Sequence, residues 1–161
     1  MVLEAASLRA EDLELIVATR GPGSFTGIRN TLACVLGLAA GAGVPAHAFS
    51  SLLAQAARCR EPEVLAVQPA RKGAVYVQTL RRDRTWQPLT EPSVRSITWL
   101  ANQRLPVVAP AGFPLPEGTP VAVTQRTTAE ALLSLAQELE APDPSTLRPF
   151  YLEEFPPREA A

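Results

Sequence analysis

The apolar residues of this chain fall into short blocks separated by glycine, proline and charge. From Glu14 to Thr19 the block Leu15-Ile16-Val17-Ala18 is continuous rather than alternating, which predicts a strand buried on both faces. From Ile28 to Ala42 a longer run of small apolar residues predicts a helix from about Gly27 to Gly41. Between them Gly21-Pro22-Gly23-Ser24-Phe25-Thr26-Gly27 predicts a tight strand-to-helix turn. Gly21 and Gly23 can take positive φ, Pro22 stiffens the turn, and Ser24 and Thr26 are N-cap candidates. A strand, a glycine turn and a helix N-terminus also make a candidate anion site, formed here by Gly21, Gly23, Ser24, Thr26 and Gly27.

The remaining blocks continue the alternation of strand and helix. Met1 to Leu8 is helical in propensity. Pro45 to Phe49 predicts a short strand, and Ser50 or Ser51 caps a helix over Leu52–Cys59. Glu63 to Gln68 and Gly73 to Leu80 predict an antiparallel hairpin about a turn at Pro69-Ala70-Arg71-Lys72. A helix is expected over Ser93–Arg104 with Ser96 as its cap, and two short strands at Val107–Ala109 and Val121–Val123. Thr128 is expected to cap an amphipathic helix over Ala129–Glu140. An extended tail follows, with Phe150, Tyr151 and Leu152 as its docking residues. Ten of the 16 prolines lie at or after Pro106, which places a boundary near Leu105 between a first α/β lobe (1–105) and a smaller proline-rich second lobe (106–161).

Composition narrows the chemistry. With 161 residues and 47% hydrophobic content the chain can bury a core. A formal net charge of -1 gives no general drive toward nucleic acid or membrane. The uncharged run from Asn30 to Ala57 is interrupted by Gly37, Gly41, Gly43, Pro45 and His47, so it reads as helix, break, strand and turn rather than a membrane span. The opening residues carry charge too early for a signal peptide, which points to the cytoplasm. Cys34 and Cys59 lack metal-ligand spacing and read as two buried apolar residues. His47 is the only histidine, so a zinc site or histidine-based triad would pass through it; on its strand it reads as structural. No aspartate lies between residues 13 and 82, so a phosphate cradle at the glycine turn lacks the acid that phosphoryl transfer needs to hold magnesium. No catalytic residue, metal or cofactor is assigned.

Two surface features remain. Ala33, Gly37 and Gly41 recur every four residues and make a ridge almost without side chains. It serves either close packing against the chain's own sheet or a helix–helix subunit interface, the latter including Ile28, Arg29, Leu32, Ala33, Leu36, Gly37 and Gly41. Arg71, Lys72, Arg81, Arg82 and Arg84 surround the hairpin, as a solvated rim or as a contact for RNA phosphates or an acidic partner.

The run Gly21 to Arg29, after a strand and before an alanine- and glycine-rich helix, resembles the signature of the bacterial TsaB (YeaZ) family. Gly41-Ala42-Gly43-Val44-Pro45, Phe49-Ser50-Ser51-Leu52, Pro69-Ala70-Arg71-Lys72-Gly73-Ala74-Val75-Tyr76 and Pro149-Phe150-Tyr151-Leu152 resemble further family segments in the same order. The resemblance implies an α/β fold with actin-, sugar-kinase- and heat-shock-ATPase-like (ribonuclease H-like) lobes. It implies a non-catalytic partner subunit in forming threonylcarbamoyladenosine beside the tRNA anticodon. The implied partners are a TsaD-like catalytic subunit and a TsaE-like ATPase, with a homodimer when alone, and tRNA met only through the complex. The implied pairing surface includes the helix after the glycine motif.

Against the family pattern the chain begins inside the first helix, so the resemblance implies an N-terminally truncated first lobe with an unpaired sheet edge. The family's aspartate is Pro69 here, its glutamate Ala74 and its C-terminal arginine Glu153. The alternatives to a partner subunit are a nucleotide-binding enzyme using the glycine turn and a protein retaining only the fold.

Overall fold

Strand pairing sorts the chain into two sheets. The computed structural model describes residues 2–71 and 73–152. Lys72 of the basic cluster, Glu153, and Pro156 and Pro157 lie outside the described residues. A helical turn, α1 (Val2–Ala5), and a 3-10 turn at Ala10–Asp12 lead into β1 (Ile16–Thr19). Helix α2 (Phe25–Ala42) crosses over to β2 (Ala46–Phe49), which pairs with β1 in parallel from Ile16–Ala46 to Thr19–Phe49. Parallel neighbours require such a crossover. Two small clusters fix α2 to this sheet: Val35 with Ala18 and Ala46, and Ile28 and Leu32 with Ala48. Gly43 ends α2 in the left-handed region (φ 69°), its N–H donating to the Ala39 carbonyl.

Helix α3 (Ser51–Ala56), capped by Ser50, leads to the second sheet. There β3 (Glu63–Pro69) and β4 (Ala74–Arg82) form the expected antiparallel hairpin, with Val67 opposite Val77. β5 (Trp86–Pro88) and β6 (Ser93–Ser96) both pair with β4, and β7 (Val107–Val108) pairs in parallel with β3. The alternation along β3 divides the core. Val64 and Ala66 face α3 and α4 (Thr128–Gln137), together with Phe49, Leu52 and Leu135. Leu65 and Val67 face Leu100, Val107 and the loop residues Phe113 and Leu115.

Several sequence expectations change. Ser93–Ser96 is a strand, not a helix, because Val94 pairs opposite Tyr76 along β4; Ser96 does cap, but the run it caps is the 3-10 segment Ile97–Asn102. Val121–Val123 contributes one bridge, Val107 to Val121, rather than a strand. Thr127, not Thr128, caps α4, in a capping box with Glu130. The expected lobe boundary at Leu105 falls just before β7, which pairs with β3 from the other side of that boundary.

Candidate functional site: the glycine turn and the open face of its helix

The turn after β1 is held by backbone bonds on both sides. Arg20 N–H donates to the Phe49 carbonyl (2.9 Å), and Ser51 N–H donates to the Gly21 carbonyl (2.7 Å). Gly21 has φ 107°, and the Gly21–Pro22 peptide is cis. The reason for glycine is a close approach: a Cβ at Gly21 would lie 2.5 Å from the Phe150 carbonyl oxygen and 2.8 Å from Ile28 Cδ1. Phe150 in turn donates its N–H to the Arg20 carbonyl (2.8 Å). So the motif glycine is shaped to receive the C-terminal segment.

Ser24 is the N-cap of α2, its Oγ accepting from Gly27 N–H at 3.3 Å. The helix therefore begins at Phe25, two residues before the expected start. Thr26, also expected as a cap, lies within the first turn and is exposed. Arg29 is drawn toward the C-terminal segment: its Nε donates to Tyr151 Oη (3.0 Å) and its guanidinium lies 4.0 Å from the Phe25 ring centroid. The Phe25 and Tyr151 rings are 5.3 Å apart.

A cavity of about 350 Å³ opens beside this turn, between Pro22–Phe25, the hairpin turn at Pro69–Arg71, Tyr76 and Phe150–Leu152. It brings Gly23 and Ser24 of the candidate anion site together with Arg71. No carboxylate, imidazole or thiol is among its described lining residues. Among the described residues the lining thus offers an arginine, a serine and the phenols and rings of Tyr76, Tyr151, Phe25 and Phe150. No group of three His, Cys, Asp or Glu among the described residues is placed to hold a metal ion.

The face of α2 turned away from the sheet is open. Ile28 and Leu32, expected on an interface, are 7% and 3% exposed and belong to the core. They lie on the side of the helix turned to the sheet, where Ala48 meets them. Ala33, Leu36, Gly37 and Gly41 are all exposed, so the small-residue ridge does not pack on the chain's own sheet. A Cβ built at Gly37 or Gly41 meets nothing within 4 Å. At 3.6 residues per turn, Leu36 and Leu38 flank the ridge on either side. Leu38 is 62% exposed and was not singled out by the sequence pattern. By length and composition the 18 residues of α2 would also suit a membrane span, with mean hydropathy 1.2. Its buried stripe on the sheet means that lipid could not surround it.

The other candidates resolve differently. His47 is buried, and its Nδ1 accepts from Asp143 N–H at 3.0 Å. Burial holds its pKa below the usual value, against the pull of the Asp143 carboxylate and with the help of Arg20. Cys59 is buried as expected, and burial, with Glu61 nearby, pushes its thiol up to about 12. Cys34 is exposed beside the ridge, because α2 buries only one stripe. The described basic residues do not form one patch. Arg71 sits at the hairpin turn, whereas Arg81 and Arg82 sit at the far end of β4, Arg81 paired with Glu63 at 2.7 Å and Arg82 over Trp86. At about 3.4 Å per residue a nine-residue strand keeps its ends about 27 Å apart.

Comparison with known proteins agrees with this geometry. A curated Escherichia coli protein, tRNA threonylcarbamoyladenosine biosynthesis protein TsaB, is 35% identical over 86 residues, 51% of this chain and 37% of that protein. The matched segment thus spans well under half of the relative's length. The solved structure of YeaZ from Pseudomonas aeruginosa superposes with a TM-score of 0.70 at 24% identity, over 93% of this chain and 78% of that one. A second structure, described as an uncharacterized protein with similarity to peptidase YEAZ from Pseudomonas aeruginosa, gives 0.70 at 23% identity, over 94% and 79%. These likenesses establish the fold of the YeaZ structures, as the resemblance implied. Residues 1–119 match the family model described as TsaD: tRNA N6-adenosine threonylcarbamoyltransferase. The chain belongs to that family, and the members it resembles are those of the TsaB (YeaZ) kind.

Proposed function

We propose that this chain is a non-catalytic partner subunit in the threonylcarbamoyladenosine modification of tRNA, acting in the cytoplasm. It supports a TsaD-like catalytic subunit, works alongside a TsaE-like ATPase, meets tRNA only through the complex and self-associates when alone. The observation that carries the reading is the open face of α2. Ala33, Gly37 and Gly41 offer a groove without side chains, flanked by Leu36 and Leu38, into which a second helix can pack at close range. An apolar face of this kind is unusual on a protein that works alone. The cavity, whose described lining holds no carboxylate, imidazole or thiol, supports the assignment of chemistry to the partner.

Size-exclusion chromatography and pull-down with the cognate TsaD test it. A complex forms, and Gly37→Leu or Ala33→Leu weakens it at least about tenfold, the effect of losing ~1.4 kcal/mol. Absence of a complex, or a complex indifferent to both changes, overturns the reading. Nucleotide binding is the second reading, favoured by the position of the cavity at the N-terminus of α2 beside Arg71. Calorimetry with ATP or ADP and magnesium decides it, and turnover by the isolated chain would favour an enzyme.

A further inference from the structure

Residues 143–151 form a strap around the outer edge of β2, which pairs with β1 along its other edge only. Asp143 N–H donates to His47 Nδ1 (3.0 Å), and Ala48 N–H donates to Thr146 Oγ1 (2.9 Å). Neighbouring side chains of a strand point to opposite faces, so His47 and Ala48 mark the two sides of the sheet. Beyond the 3-10 turn Pro144–Thr146, Leu147 packs beneath α2 against both of its clusters. The strap therefore starts on the His47 face, passes over the edge and ends under α2. It then reaches the glycine turn through Phe150 and Tyr151.

The first of these anchors depends on a lone pair. Nδ1 can accept from Asp143 N–H only while the ring is neutral with its proton on Nε2. An imidazolium carries a proton on both nitrogens, and two donors then face each other. With His47 8% exposed, water has little room to replace the lost bond. Two charged groups face the ring. The Asp143 carboxylate, on the strap, already accepts from Ser145 N–H and Ser145 Oγ (both 2.8 Å). The Arg20 guanidinium, at the end of β1, opposes a positive ring.

We propose that His47 is a protonation latch: its neutral ring clamps the strap over the edge of β2, and its imidazolium releases it and unseats Leu147 from α2. The sign follows from burial, which favours the neutral ring in the fold. The clamp is complete above the ordinary histidine range and is lost as pH falls through the lowered pKa of His47. Asp143, whose own pKa is lowered by its Ser145 bonds, stays charged throughout that window. The latch stands apart from any partner of α2.

Nuclear magnetic resonance on the full chain tests it, following the His47 ring and the exchange of the Ala48 and Phe150 amides from about pH 8 to about pH 5. After correction for intrinsic rates, both amides exchange about tenfold faster or more once the ring is protonated, with the midpoint of the ring titration. His47→Gln, which keeps an acceptor that does not titrate, leaves both amides insensitive to pH. Protonation of His47 with unchanged protection, or the same loss in His47→Gln, overturns the latch. Should that variant not fold, the wild-type midpoints decide alone, and a mismatch between ring and amides overturns it.

Discussion

Alanine at Gly21 and alanine at Gly37 shift stability in opposite directions. At Gly21 the φ of 107° is a conformation that costs an L-residue about 1–2 kcal/mol. The added Cβ lies 2.8 Å from the movable end of Ile28 but 2.5 Å from the Phe150 carbonyl, which cannot yield without the strap. Displacing it forfeits the bond from Phe150 N–H to the Arg20 carbonyl, about 1 kcal/mol. Together these make Gly21→Ala about 2–3 kcal/mol less stable. At Gly37 the Cβ meets nothing within 4 Å and φ is helical, so alanine gains about 0.5–1 kcal/mol of helix propensity. Urea unfolding followed by circular dichroism, in dilute monomer, reads both. With a slope of about 2 kcal/mol per molar, the midpoint falls by about 1–1.5 M for Gly21→Ala and rises by about 0.3–0.5 M for Gly37→Ala. A Gly21→Ala protein within about 0.5 kcal/mol of the parent refutes the close approach. A destabilised Gly37→Ala monomer refutes the open face.

Further measurements bear on other elements. A thiol reagent titrates one cysteine rapidly in the folded chain, Cys34, and both only after unfolding, because Cys59 is buried with its thiol pushed up to about 12. Binding a helical partner to α2 slows the Cys34 reaction; an unchanged rate in a formed complex would place the partner elsewhere. Thr127→Ala removes the cap of α4 and lowers stability by about 1 kcal/mol in urea unfolding. The Glu130 carboxylate accepts from Thr127 N–H and Oγ1, which lowers its pKa. Its share of the cap is therefore present at neutral pH and lost as pH falls through that lowered value. A pH profile of the stability difference between Glu130→Gln and parent that stays flat through that range contradicts the pairing.

What the sequence disclosed depended on the range of the interactions involved. The continuous run Leu15–Ala18, the alternation through Val75, Val77 and Thr79, and the serine before α3 are local signals, and β1, the β3–β4 hairpin and the Ser50 cap follow them. Ser96 is a genuine cap signal and suggested a helix over Ser93–Arg104, whereas the state of Ser93–Ser96 was decided by the edge of β4, distant in sequence. The arginines looked clustered because sequence proximity conceals the length of an extended strand. On α2, apolarity nearly all round concealed which stripe is buried, and only the position of Ala48 and Leu147 separates Ile28 and Leu32 from Leu36 and Leu38. The role of Gly21 was half legible: a turn glycine was evident, but the carbonyl it accommodates comes from Phe150. Nothing in the local pattern links His47 to Asp143, which lie 96 residues apart.

The strap has a temporal consequence as well. Helix α2 is synthesised early, yet Leu147, which completes its packing on the sheet, comes more than a hundred residues later, and Tyr151 lies 122 residues beyond Arg29. Contacts of such long sequence separation close late, after the loop entropy has been paid. A nascent chain therefore carries α2 with its inner stripe only partly covered, and the docking of the strap sets when that stripe stops being a target for chaperones and for premature association.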